Sequence, residues 1–215
     1  MPESLRLAEL LCARFSHDLS GLLGSLSGVL ELIAEAVPEG KGCADEEIAL
    51  ATETAAELME RLRLLRAAWG GVNDPLSVDA LRALAGGLVG SRRLAIDFDG
   101  LAAGGELDPP MARLVLNVLL LGAESLPRGG TLALSGDPAT HVVARIEGPD
   151  AAWPPALAAC LAGDDAAWAA LDGPRTVQAP LTALIAASCG LRLSFLLALG
   201  AAGTPPPLLL SARQG

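Results

Sequence analysis

Apolar residues recur at spacings of three and four between Ser4 and Ala36, through Leu7, Leu11, Phe15, Leu19, Leu22, Leu26, Val29 and Ile33. That period predicts one long amphipathic helix. The pattern stops at VPEGKG, and Asp45, ahead of Glu46 and Glu47, offers an N-cap followed by first-turn acids. A second helix then runs to about Trp69, with Ile48, Thr52, Ala55, Leu58, Leu62, Leu65 and Trp69 on one side, and ends at Gly70 and Gly71. Residues 1–71 therefore read as an antiparallel helical hairpin. Two long helices cannot hide both apolar stripes on one another, whereas a four-helix bundle can. A homodimer that pairs two hairpins about a two-fold axis is expected.

GGVNDPLS breaks the period and reads as a linker to a second module, residues 76–215. There VDALRALAGGLVG predicts a helix, RLAIDFD a strand, and PPMARLVLNVLLLGAESL a helix opened by prolines. TLALSGD and HVVARIEG predict two strands joined by a turn. WPPALAACLAG and TALIAASCG predict helices, and LRLSFLLAL with PPLLLSAR a closing strand pair. The expected fold class is α+β, the hairpin followed by an α/β sandwich with helices on one face.

At 215 residues the chain can bury a sizeable core. With 52% hydrophobic and 19% charged residues it is neither disordered nor collagen-like, and with 3% aromatics and no Tyr its core must be built from Leu and Ala. A formal net charge of -10 and a pI near 4.6 leave no basic footprint for nucleic acid. Cys12, Cys43, Cys160 and Cys189 show no metal or disulfide spacing, so buried, reduced thiols are expected. MPESLRLAE lacks the order of a signal peptide, and LSFLLALGAAG is broken by TPPP before it could span a bilayer. A cytoplasmic protein with no membrane partner is expected.

The stretch CARFSHDLSGLLGSLSG carries the candidate chemistry. At about 100° per residue the apolar stripe falls opposite His17, while Gly21, Gly24 and Gly28 return to the histidine's own side. Each interior glycine costs a helix about 1 kcal/mol relative to alanine. Close packing of a small-xxx-small stripe is one explanation, but packing glycines belong on the apolar side. Clearance for a second protein laid against the helix is the other. A neutral imidazole is a nucleophile near pH 7, and the carboxylate of Asp18 beside it can hold the tautomer that leaves one nitrogen free. Asp18 can alternatively pair with Arg14, one turn earlier. His141 reads as an ordinary strand residue, and Arg61, Arg63 and Arg66 as solvating the hairpin, with some able to meet an acidic partner.

His17 and Asp18 on the first helix of a dimerising hairpin resemble the phosphoacceptor box of sensor histidine kinases. LNVLLLGAESLPRGGTL, from Leu116 to Leu132, resembles the kinase N-box, close to LNLLxNAxKxTPxGG, with Asn117, Pro127, Gly129 and Gly130 in register. The departures matter more. The metal-holding asparagine of that box falls on Leu121, the adenine-binding aspartate of the next box on Ile146, and the phosphate-cradling GLGL on Gln178 to Leu181. Between Trp168 and Gln178 there is no length for a nucleotide lid. Leu22 and Gly21 replace the proline and the polar residue that kinases often carry after their histidine, so the resemblance implies neither a bend there nor phosphatase chemistry.

A retained phosphoacceptor hairpin with a degenerate kinase-like (Bergerat/GHKL) domain resembles the ChpT-type histidine phosphotransferases of bacterial phosphorelays. That resemblance implies His17 as phosphoacceptor, Asp18 as the residue that orients or activates it, and Arg14, Gly21, Gly24 and Gly28 as the partner-binding surface. It implies response-regulator receiver domains and a hybrid-kinase receiver as partners. No cofactor of the chain's own is implied, magnesium arriving with the receiver. Two rivals remain at this stage: an inert scaffold that binds receivers or kinases, and an atypical ATP-dependent histidine kinase.

Overall fold

The computed structural model describes residues 2–36, 45–88, 93–196 and 204–213. Helix α1 (Glu3–Ala36) and helix α2 (Asp45–Gly70) form the hairpin. The VPEGKG turn, Cys43 and the capping side chain of Asp45 lie outside the described residues. Along α1 the inward stripe is close to the expected one: Leu19 and Val29 are buried, and Leu7, Leu11, Leu22, Leu26 and Ile33 half-buried, but Phe15, expected in the same stripe, is 39% exposed. On α2 the stripe is rotated from the expectation. Leu64, Leu65 and Ala68 are its most buried apolar residues, whereas Ile48 is 49% exposed. The rotation arises because the last turns of α2 pack on the second module as well as on α1.

That module begins with β1 (Leu76–Ser77) and α3 (Val78–Ala85), which passes into a tight turn at Gly86–Leu88. Then come β2 (Leu94–Leu101), β3 (Glu106–Leu107), α4 (Pro109–Glu124), β4 (Gly130–Asp137), β5 (His141–Glu147) and α5 (Pro155–Cys160). Helices α6 (Asp164–Ala169) and α7 (Gln178–Ser188) and strands β6 (Leu191–Phe195) and β7 (Leu208–Ala212) complete it. The two-residue strands β1 and β3 pair with each other, so the supposed linker contributes an element. Helix α6 also lies where none was expected.

The main sheet runs β2-β4-β5-β7-β6, with β2 and β4 parallel and the other neighbours antiparallel. Its strands mostly alternate in burial, Val143 in β5 being buried as well: Leu132 and Leu134, Val142, Ala144 and Ile146, Leu191 and Leu193, Leu208 and Leu210 face inward. Alternation of this kind marks a sheet covered on one face, here by helices.

Helix α4 decides how the two modules sit. Asp108 caps its first turn, accepting from the Met111 amide at 2.8 Å, with two prolines in the positions that need no donor. From Leu114 to Ala123 every residue is buried, which is the signature of a helix enclosed on all sides. The sheet covers one side, and α2 and α7 cover others. Hairpin and sheet therefore share one core, in which Leu19, Leu64, Leu65 and Ala68 join Leu116 and Leu120.

Polar groups lock the same junction. The Asn117 Nδ2 donates to the Ala68 carbonyl at 2.7 Å and to the Arg113 carbonyl at 2.9 Å, and the Arg113 guanidinium donates to the Trp69 carbonyl at 3.0 Å. The bonds to Ala68 and Trp69 satisfy carbonyls that the end of α2 would otherwise leave unpaired. The Gln178 Nε2 donates to the Asn117 Oδ1 and to the Thr182 Oγ1, both at 3.1 Å, so the network is closed inside the core. The described cysteines are free: Cys160 is buried, but Cys189 is half-buried and Cys12 exposed, against the expectation of buried thiols throughout. Among the described residues no helix is long and apolar enough to cross a membrane.

Candidate functional site

His17 lies halfway along α1 with its side chain 64% exposed. Below it, a methyl group added at Gly21, Gly24 or Gly28 would meet nothing within 4 Å. The hydroxyls beside this strip turn back on the helix, Ser20 donating to the Ser16 carbonyl and Ser25 to the Gly21 carbonyl. The strip is therefore smooth, open and lined by backbone.

Asp18, beside it, turns inward and is only 10% exposed. Its Oδ1 accepts from the Arg14 Nε at 2.8 Å, and its Oδ2 from the Arg61 Nη2 at 3.0 Å. The His17 Nδ1 stands 3.5 Å from the same Oδ1, a long contact of the kind that tightens when a reactive complex forms. Burial acts to raise the Asp18 carboxyl, but the Arg14 and Arg61 guanidiniums outweigh it and hold the group below the usual carboxylate range. Asp18 is thus an anion beside the imidazole. An anion at Nδ1 stabilises the tautomer protonated there and leaves Nε2 with its lone pair.

Arg14, expected at the docking surface, has its guanidinium turned into the protein, with its side chain only 11% exposed. Besides Asp18 it donates to the Glu124 Oε1 at 2.7 Å and to the Pro174 carbonyl at 3.4 Å. Burial lowers its basicity, and the neighbouring Glu124 and Asp18 carboxylates more than restore it. Two charged partners suit a buried guanidinium, which cannot shed its proton.

Arg61, first read as solvating the hairpin, reaches across to α1 and also donates to the Gly87 carbonyl at 3.5 Å. The tight turn after α3 can come this near because Gly87 has no side chain: a Cβ there would stand 2.6 Å from the Glu60 carbonyl oxygen. Arg61, Glu124 and Gly87 are the site residues that sequence reasoning missed. Glu124 left a trace, as the one acid on the largely apolar α4.

These groups line a cleft of about 220 Å³ between the hairpin and the second module, with His17 at its mouth. Among the described residues, no three His, Cys, Asp or Glu side chains come together as a metal-binding group. Away from the cleft, Leu121 is fully buried and Ile146 is 1% exposed, both in the core. Gly129 and Gly130 have φ of 82° and 145°, and a Cβ at Gly130 would collide with the Glu147 carbonyl, so this pair serves the backbone.

The chain matches the family model of the histidine phosphotransferase C-terminal domain over residues 78–198. It is 30% identical over 199 residues to the protein phosphotransferase ChpT of Brucella abortus (strain 2308), covering 89% of this chain and 90% of that one. A solved structure of a bacterial phosphotransferase has a similar fold, with a TM-score of 0.70 at 24% identity, over 96% of this chain and 95% of that one.

Proposed function

The chain belongs to the histidine phosphotransferase family, and from that premise we propose that His17 is the residue through which it relays phosphoryl groups between receiver domains of a bacterial phosphorelay. The observation that carries this reading is an exposed imidazole whose Nδ1 edge is backed by a fixed carboxylate and whose surroundings on α1 are bare.

The Nε2 lone pair attacks the phosphorus of an aspartyl phosphate on the donor receiver. The N–P bond forms as the acyl P–O bond breaks, and the aspartate leaves as a carboxylate. The proton on Nδ1 stays there, facing Asp18. Donation to a second receiver reverses these steps. The receiver supplies magnesium and its own charge-stabilising groups, so this chain contributes nucleophile, tautomer and docking surface.

Gly21, Gly24 and Gly28 form the floor of the docking surface, because an incoming domain can approach the helix backbone without displacing side chains. Arg14 acts behind that surface, on Asp18. The hairpin is the dimerisation element: Leu23, Leu30, Ile48 and Met59 are each about half exposed in a single chain, at 50%, 51%, 49% and 51%. Phe15, Leu23 and Leu30 lie across α1 from the histidine strip, so a second copy seated on them leaves the strip open. The second module is a kinase-like ATPase domain without its nucleotide site. Apolar packing at Leu121 and Ile146, and the engagement of Gln178 with Asn117 and Thr182, support that reading.

Incubation with a cognate receiver carrying labelled aspartyl phosphate tests the central claim. Label should appear on His17 as an acid-labile, base-stable adduct, and His17→Ala should stay a folded dimer that takes up none. Persistent absence of label on the wild-type protein would overturn the reading.

A further inference from the structure

An arginine and a carboxylate left to themselves pair through two parallel N–H···O bonds. Arg14 and Asp18 do not: only Nε reaches Asp18, at 2.8 Å, because Nη2 is held by Glu124 at 2.7 Å. Arg61 meanwhile takes the other Asp18 oxygen at 3.0 Å and stops the carboxylate from turning. Asp18 Oδ1 therefore keeps an acceptor position directed at the His17 Nδ1.

Glu124 also sits at a disfavoured place. It is the last residue of α4, where the helix dipole repels an acid. Its pairing with Arg14 crosses from the second module to α1 and offsets that repulsion. The charges then alternate through successive contacts, Glu124, Arg14, Asp18, Arg61, with the imidazole beside the third.

We propose that Glu124 and Arg61 are positioning residues for the phosphoacceptor, holding Arg14 and Asp18 so that Asp18 accepts from Nδ1 of His17 and Nε2 is left to attack. The inference rests on the phosphohistidine reading above. It assigns the second module a part in the transfer step, through one carboxylate rather than through a nucleotide. Without Glu124, Arg14 closes onto Asp18 as a two-bond pair and occupies the acceptor position that the imidazole needs. Without Arg61, the carboxylate rotates off the ring.

The test uses full-length protein, a labelled phospho-receiver and ¹⁵N-histidine labelling. Glu124→Ala and Arg61→Ala should lower the single-turnover transfer rate by roughly tenfold to a hundredfold, the range lost when an orienting partner of a metal-bound histidine is removed. The receiver concentration for half-maximal rate should stay within about twofold, since docking is untouched. The His17 ¹⁵N shifts should move from the Nδ1–H toward the Nε2–H tautomer, and Arg61→Lys should recover part of the rate. Wild-type rates in both alanine variants would overturn the inference, as would a rate loss with unmoved ¹⁵N shifts. If Glu124→Ala fails to fold, Glu124→Gln decides on the same readouts. A wild-type protein that takes no label removes the phosphohistidine reading itself, whatever the variants do.

Discussion

Helix α4 carries two polar clusters, and their difference separates structure from chemistry. Around its middle, Asn117 joins Gln178, Thr182 and the Ala68 carbonyl in a network with every member buried. At its end, Glu124 starts a line of charges that runs through Arg14 and Asp18 to an imidazole 64% exposed. The first cluster spends its bonding capacity inside the protein, which fixes the junction of hairpin and sheet. The second keeps one nitrogen facing outward. A polar network becomes a site where its satisfaction stops short of the last member.

Two substitutions set these clusters against each other, and a third probes the bare strip beside the histidine. Asn117→Leu should cost the most stability, about 3 kcal/mol, because it takes from the buried Ala68 carbonyl its shortest hydrogen bond and from the Gln178 amide one of its acceptors. Urea unfolding measures this loss, and the rate of labelling per folded molecule should stay near wild type. A large drop in that rate would mean that the inner cluster also serves the histidine.

Asp18→Asn should cost less, about 1–3 kcal/mol at pH 7, by weakening two charge-assisted bonds. Its folded-state pKa is lowered, so its contribution is complete above the unfolded value near 3.9 and is lost as the pH falls through the folded value. The stability gap between wild type and Asp18→Asn should therefore narrow below about pH 4. A gap that widens with acid would show that Asp18 is not held as an anion.

Gly24→Leu should have the smallest effect on the fold, a gain of up to about 1 kcal/mol, because a side chain there meets nothing. Titration calorimetry with a receiver should nevertheless show weaker binding. Unchanged affinity would place the docking surface elsewhere.

Much of the fold was legible because its longest elements follow simple periods and carry their own punctuation. The α1 stripe, the glycine end of α2 and the Asp-Pro-Pro opening of α4 are local signals. Helix α6 was not legible, since DDAAWA has no room for an apolar face. Strands β1 and β3 are two residues each, below any pattern. At the site, His17, Asp18 and the one-turn spacing to Arg14 could be read from the chain. Arg61 and Glu124 could not be placed, because they reach the cluster across 43 and 110 residues of sequence. One sign was available: Glu124 stands where the N-box pattern has Lys, a reversal of charge. The rotation of the α2 stripe escaped for a related reason, since Leu64 and Ala68 are buried by a module made later in the chain.

The bonds from Arg113 and Asn117 to the end of α2 impose an order on biogenesis. A ribosome releases α1 and α2 well before α4 exists, so for several seconds at about 5–20 residues per second the lower hairpin has no cover for Leu64, Leu65 or the Ala68 carbonyl. The nascent first third thus leaves that apolar surface uncovered until the middle of the chain emerges. In that interval His17 stands beside Arg14, Asp18 and Arg61 without Glu124, and a prematurely terminated chain would leave Arg14 short of one of its two carboxylate partners.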